Sequence, residues 1–123
     1  MIKGIHHISM KCCGKEQLQK VRDFYCGILE LPVWSEWDGG IMIETPAGKI
    51  EIFTNGTEDR PQGVIRHFAF EVDDVDAYAE KCRQNGYEIF MGPKEVVLGE
   101  HTNYVAFCHG PLGEDVEFFK SVN

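Results

Sequence analysis

The apolar and polar residues of this chain follow a pattern that occurs twice. The segment Ile5-His6-His7-Ile8-Ser9-Met10 matches Ile65-Arg66-His67-Phe68-Ala69-Phe70 in the second half. A later segment, Gly48-Lys49-Ile50-Glu51-Ile52-Phe53, matches Glu114-Asp115-Val116-Glu117-Phe118-Phe119. Alternating apolar residues in all four segments are typical of β-strands. Each copy therefore opens with a strand that carries a histidine and closes with a strand that carries a glutamate.

The residues between these strands predict the same elements in both copies. In the first copy, apolar residues at helical spacing predict a helix over 15–26, and turn residues separate predicted strands at 33–37, 40–45 and 49–53. In the second copy we expect a helix over 75–85, capped by Asp73 or Asp74 and ended by Gly86. Strands are then expected at 87–91, 104–108 and 115–120, and 95–98 is a weaker candidate for a further strand.

Each copy thus reads strand-helix-strand-strand-strand, and neither is large enough to fold alone. We predict one α+β domain over 1–123, with module 1 at about 4–54, a polar linker at 55–63 and module 2 at about 64–121. The helix covers one face of each sheet. The other face must be closed by the second copy or by a second chain.

Strand alternation brings four polar side chains to the sheet faces that the helices do not cover. Side chains of a strand point to opposite faces with a period of two. The apolar neighbours are expected to pack on the helices, which leaves on the other face His7, Glu51, His67 and Glu117. A buried carboxylate costs several kcal/mol unless it is paired or bound to a cation. The pattern therefore predicts a divalent metal site. His6 is the rival to His7, but its alternation places it on the helix side with Ile8.

Composition limits the compartment and the partners. A net charge of −8 argues against nucleic acid or an anionic membrane surface as a partner. No stretch approaches the roughly 20 apolar residues needed to span a bilayer, and the start of the chain lacks the apolar run of a signal peptide. Five cysteines, without C-x-x-C spacing, suggest reduced thiols in a cytoplasmic protein.

The order and duplication of these segments resemble the glyoxalase / bleomycin resistance / dioxygenase superfamily, also called vicinal oxygen chelate proteins. The resemblance covers almost the whole chain. Besides the four strands above, the matching pieces are Val21-Arg22-Asp23-Phe24-Tyr25, Glu71-Val72-Asp73-Asp74, Val105-Ala106-Phe107 and Gly110-Pro111-Leu112-Gly113. The resemblance implies two βαβββ modules that form a curved, mixed eight-stranded sheet with the helices on its outer face.

The resemblance also implies a function. The metal ligands of the family fall on His7, Glu51, His67 and Glu117, and two histidines with two glutamates are similar to the glyoxalase I pattern. A lyase of this type isomerises the hemithioacetal of a 2-oxoaldehyde and glutathione, or another thiol, to a thioester through an enediolate. Glu117 and Glu51 are the candidates for the proton shuttle. Ni²⁺ or Zn²⁺ is the expected ion, with Co²⁺ or Mn²⁺ as further options.

The alternatives are another metal-dependent member of the superfamily (an epimerase, a thiol transferase or a dioxygenase) and a non-catalytic drug-binding protein. One departure bears on the substrate. Where glyoxalase I enzymes commonly carry a threonine or an arginine-bearing segment after the first histidine, this chain has Ser9-Met10-Lys11-Cys12-Cys13-Gly14. A homodimer is expected, with the site either within one chain or across the dimer interface.

Overall fold

The computed structural model describes residues 1, 3–58, 63 and 65–122. The chain divides into two compact units, Met1–Pro61 and Gln62–Asn123. This division falls inside the linker predicted at 55–63. Part of that linker, and the predicted start of module 2 at 64, lie outside the described residues.

The first unit is a four-stranded mixed sheet with one helical layer. Its elements in chain order are β1 (His7–Lys11), α1 (Gly14–Val21), a π-helical segment (Arg22–Ile28), β2 (Val33–Trp37), β3 (Gly40–Glu44) and β4 (Lys49–Phe53). The strand order is β1-β4-β3-β2. Strand β1 pairs with β4 in parallel, whereas the other neighbours are antiparallel.

The second unit repeats this arrangement. Its elements are β5 (His67–Glu71), α2 (Val75–Gln84), β6 (Ile89–Leu98), β7 (His101–His109) and β8 (Asp115–Ser121). The order β5-β8-β7-β6 again places the first strand of the module beside its last, in parallel. The predicted pair of βαβββ modules is confirmed, as two four-stranded mixed sheets.

Alternate strand residues pack towards the helices, as the sequence pattern predicted. Ile50 and Ile52 of β4 are at most 2% exposed. In the second unit, Phe118 of β8 stacks on Tyr78 of α2 at 5.5 Å between ring centroids and on Phe70 of β5 at 6.3 Å. In each strand, the residues that alternate with these buried ones point to the opposite face of the sheet.

The helices and one strand differ in detail from the expectation. The helix predicted over 15–26 is α-helical only to Val21 and continues as a π-helical turn. The strands predicted at 87–91 and 95–98 form one strand, β6, whose pairing with β7 shifts register between Ile89 and Met91 and again before Lys94. These shifts interrupt the alternation, which is why the sequence pattern indicated two short strands. Gly86 has the positive φ of 86° that its predicted place after α2 requires.

None of the described helices is long and apolar enough to cross a membrane.

Asp74, not Asp73, caps α2, because its carboxylate accepts a hydrogen bond from the backbone N–H of Ala77 at 3.0 Å. We expect Asp74→Ala to lower the free energy of unfolding by about 1 kcal/mol and the melting temperature by roughly 3–6 °C. Asp73→Ala is the matched control and is expected to change the melting temperature by less than about 1 °C, as exposed surface substitutions do. Equal losses in both variants, measured by thermal unfolding, would contradict this assignment.

Candidate metal centre

The parallel pairing in each unit places the histidine and the glutamate in the same relative position. His7 of β1 lies opposite Lys49 of β4, and Glu51 follows two residues later on the same face. In the second unit His67 lies opposite Asp115, and Glu117 follows two residues later. Two residues along a strand span roughly 7 Å. The side chain of each histidine must therefore lean along its strand to reach the glutamate.

In the first unit the two side chains approach each other without forming a hydrogen bond. His7 Nε2 lies 3.7 Å from Glu51 Oε1, which is longer than a hydrogen bond. The other ring nitrogen, Nδ1, lies 2.9 Å from His6 Nδ1, so His6 and His7 share a hydrogen bond. The described residues offer the half-buried Glu51 carboxylate no hydrogen bond. One imidazole nitrogen and one carboxylate are therefore left facing each other.

In the second unit the pair is closer and more buried. His67 Nε2 lies 3.2 Å from Glu117 Oε1, and the His67 ring meets the edge of Phe107 at 5.1 Å between centroids. Glu117 is only 9% exposed. Burial raises the pKa of Glu117, and the charge and hydrogen bond of His67 offset this only in part. The carboxylate is therefore held in a place that disfavours its charge.

The His67–Glu117 pair, at 3.2 Å, has the separation of two neighbouring ligands on one ion, and the His7–Glu51 pair, at 3.7 Å, is slightly wider. Ligands about 2.0–2.2 Å from a metal, at angles of 90–110°, lie about 3.0–3.5 Å from each other. The nitrogen and oxygen donors suit Ni²⁺, Zn²⁺, Co²⁺ or Mn²⁺. Metal-bound histidines usually have their second nitrogen fixed by a hydrogen bond, as His6 does for His7. The residues present therefore fit a divalent ion. Within the described part of the chain, however, no group of three or more His, Cys, Asp or Glu side chains is placed to hold one.

His6 does not turn to the helix side, so that expectation is wrong. Its ring is exposed and meets the ring of His7 edge to face, with 5.2 Å between centroids. The reason is that β1 begins at His7, so strand alternation does not extend to His6.

A second polar pair beside Glu117 was missed by the sequence analysis. His109 Nδ1 lies 3.1 Å from Asp115 Oδ1, and the imidazole stacks on Phe90 with 4.2 Å between centroids. Asp115 precedes Glu117 by two residues on β8 and so shares its face. The spacing of Asp115 and Glu117 was the available signal for the carboxylate. Nothing in the strand pattern indicates that His109, the last residue of β7, reaches Asp115.

The cysteines form no disulfide among the described residues. All five lie in the described part of the chain and all five are free thiols. Cys82 and Cys108 are fully buried, and a hydrogen bond with Cys82, together with burial, raises the pKa of Cys108 far above its ordinary value.

Comparisons with known proteins agree with this fold. The family model for the glyoxalase/bleomycin resistance protein/dioxygenase superfamily matches residues 4–118. The chain belongs to that superfamily.

Several solved structures share the fold. A glyoxalase family protein from Enterococcus faecalis is 20% identical, with a TM-score of 0.77, covering 96% of this chain and 98% of its own. A glyoxalase/bleomycin resistance protein/dioxygenase from Alicyclobacillus acidocaldarius is 17% identical, with a TM-score of 0.75, over 98% and 93% of the two chains. An integron cassette protein from the mobile metagenome of V. cholerae is 19% identical, with a TM-score of 0.74, over 98% and 96%. No curated protein matches the sequence significantly.

The raised pKa of Glu117 predicts how stability depends on pH in the metal-free protein. The folded state keeps the proton to a higher pH than the unfolded state, so stability falls as pH rises between the two pKa values. Above the folded-state pKa, the ionised Glu117 lowers the free energy of unfolding by a constant amount, and Glu117→Gln removes this loss. We therefore expect the variant to melt at a higher temperature than the wild type at pH 7 with chelator present, and at an equal temperature near pH 4.

Glu95→Gln, on an exposed position of β6, is the matched control and is expected to leave the difference between the two pH values unchanged. A Glu117→Gln protein that is less stable than the wild type at pH 7 would contradict the prediction.

Proposed function

We propose that this protein is a metal-dependent lyase of the glyoxalase I type. Its reaction isomerises the hemithioacetal of a 2-oxoaldehyde and glutathione, or another thiol, into a thioester. The observation that supports this most is the repetition of one His/Glu pair in both modules, His7 with Glu51 and His67 with Glu117. Members with three ligands need only one of the two carboxylates, whereas this chain has both.

The four side chains would hold one divalent ion, Ni²⁺ or Zn²⁺ in the first instance and Co²⁺ or Mn²⁺ otherwise. Each module contributes one nitrogen and one oxygen donor, so a four-ligand ion needs both pairs. When bound, the ion supplies a Lewis acid that stabilises negative charge on the two adjacent substrate oxygens. The two pairs come either from one chain or from the two chains of a homodimer. A homodimer is part of the proposal, because members of the superfamily are commonly dimeric. A cytoplasmic location is also part of the proposal.

The two glutamates would carry the proton. The carbon that bears sulfur loses a proton, and its neighbour gains one, so a single carboxylate that accepts and returns the proton completes the isomerisation. Glu117 and Glu51 are both candidates. Glu117 is the more buried of the two, with 11% of its side chain exposed against 15% for Glu51. Shielding from water favours return of the same proton to the substrate.

The test is turnover by protein loaded with Ni²⁺, Zn²⁺ or Co²⁺, measured as thioester absorbance from methylglyoxal and glutathione. We expect metal-dependent activity that falls by about 100-fold or more in Glu117→Gln, the usual size of a lost general acid–base. Glu95→Gln is the control and is expected to retain wild-type activity.

Other outcomes would replace the proposal. Activity on a coenzyme-A ester or an epoxide, with none on hemithioacetals formed from several cellular thiols, would indicate another enzyme of the superfamily. Binding of a small molecule that chelators do not affect, without turnover, would indicate a sequestering protein. The fold alone does not separate these functions.

A further inference from the structure

Both tryptophans of the chain are exposed on the first unit. Trp34 and Trp37 lie on β2 and are 54% and 38% exposed, and the sequence contains no other tryptophan. Large aromatic side chains are usually well buried, so exposed aromatic clusters often mark a binding surface.

Trp37 packs against two neighbouring strands of the sheet. It lies opposite Gly40, which lies opposite Phe53, and the Trp37 and Phe53 rings meet at 5.7 Å between centroids. A Cβ atom on Gly40 would lie 2.9 Å from the Trp37 ring. The glycine therefore leaves the space through which the indole crosses β3 to reach Phe53.

Trp34 contacts the ammonium group of Lys49. Lys49 Nζ lies 4.8 Å from the centre of the Trp34 ring, within the range of a cation–π contact. Glu44 lies opposite Lys49, and Glu51 follows it on the same face, yet no described carboxylate forms an ion pair with Lys49. Its ammonium group is therefore free to bind an anion.

These side chains surround the candidate metal ligand of the same unit. Lys49, Glu51 and Phe53 alternate along β4 and so share one face. Glu51 lies in a row with Met42 and Ser35, and on β2 the two tryptophans flank that row. The two tryptophans are three positions apart, at most roughly 10 Å along the strand. The pairing irregularity between Val33 and Ser35 breaks the alternation there, and Trp34 lies on this face because it contacts Lys49.

The second unit lacks this cation. The residue in the position of Lys49 is Asp115, which is paired with His109. The cation and its tryptophan are thus a feature of one module only, and the repeated fold does not require them.

We propose that the tryptophan face, formed by Trp34, Trp37, Phe53 and Lys49, binds a carboxylate-bearing molecule with an apolar or aromatic group. Lys49 pairs with the carboxylate, and the two indoles take the apolar group. The assignment of this ligand as the part of the substrate that lies beside Glu51 rests on the proposed function. The binding itself does not.

The binding test uses metal-free protein with chelator, and the quenching of tryptophan fluorescence as the signal. We expect 3-phenylpropionate to quench saturably with a Kd on the order of 1 mM, as suits a ligand of its size. The neutral isostere 3-phenylpropanamide and the small acid propionate are each expected to bind at least about threefold more weakly. Equal binding of the acid and the amide, or the absence of saturable quenching, would overturn the proposal.

Variants locate the contacts. Lys49→Gln is expected to weaken binding of the acid by about threefold to tenfold and to leave binding of the amide unchanged. Lys20→Gln removes the same charge from an exposed helix position and is expected to have no effect. Trp34→Phe and Trp37→Phe each leave one reporter, and both are expected to show reduced quenching amplitude. Acid binding that is unchanged in Lys49→Gln would overturn the role of the cation even if that variant is less stable.

The outcome is separable from that of the proposed function. Metal-dependent turnover without selective binding of the acid would support the lyase proposal and contradict the proposed role of the tryptophan face. Selective binding of the acid by a protein without turnover would do the reverse.

Discussion

The constraint on which this site depends is the parallel pairing of the first and last strands in each module. That pairing sets each histidine opposite the residue two positions before its glutamate, in β1 and β4 and again in β5 and β8. A slip of one residue would turn the glutamate to the helix side and bring an isoleucine or valine to the open face. The apolar residues under the helices therefore fix the register, and the register fixes the polar pairs.

The two pairs meet different surroundings, and this difference has consequences for their chemistry. Glu117 is buried beside His67 and Phe107, so its ionised form is disfavoured unless a cation is present. Glu51 is less buried, and its histidine partner is fixed by His6 rather than by the carboxylate. Around Glu51 the sheet carries exposed tryptophans and a free ammonium group. In the proposed function, one module would supply the more shielded carboxylate and the other more of the substrate contacts.

Much of this could be read from the sequence, because alternation along short strands states directly which residues share a face. The opening and closing strands and the His/Glu pairs follow from that rule, and the helices follow from apolar residues at helical spacing. It failed where the chain leaves regular geometry. His6 precedes the first strand, the register shifts in β6 break the alternation, and α1 widens into a π-helical turn at Arg22. The exposure of Trp34 and the pairing of His109 with Asp115 depend on side-chain contacts across strands, which periodicity alone does not contain.

The proposal that both pairs serve one ion is tested most directly by metal stoichiometry. Protein dialysed against Ni²⁺ or Zn²⁺ and analysed for metal content should carry close to one ion per chain. Replacing either Glu51 or Glu117 with glutamine should reduce that content substantially, because each carboxylate supplies one of the four ligands. A wild-type value near zero, or a value near one that survives the simultaneous loss of His7 and Glu51, would contradict the shared centre.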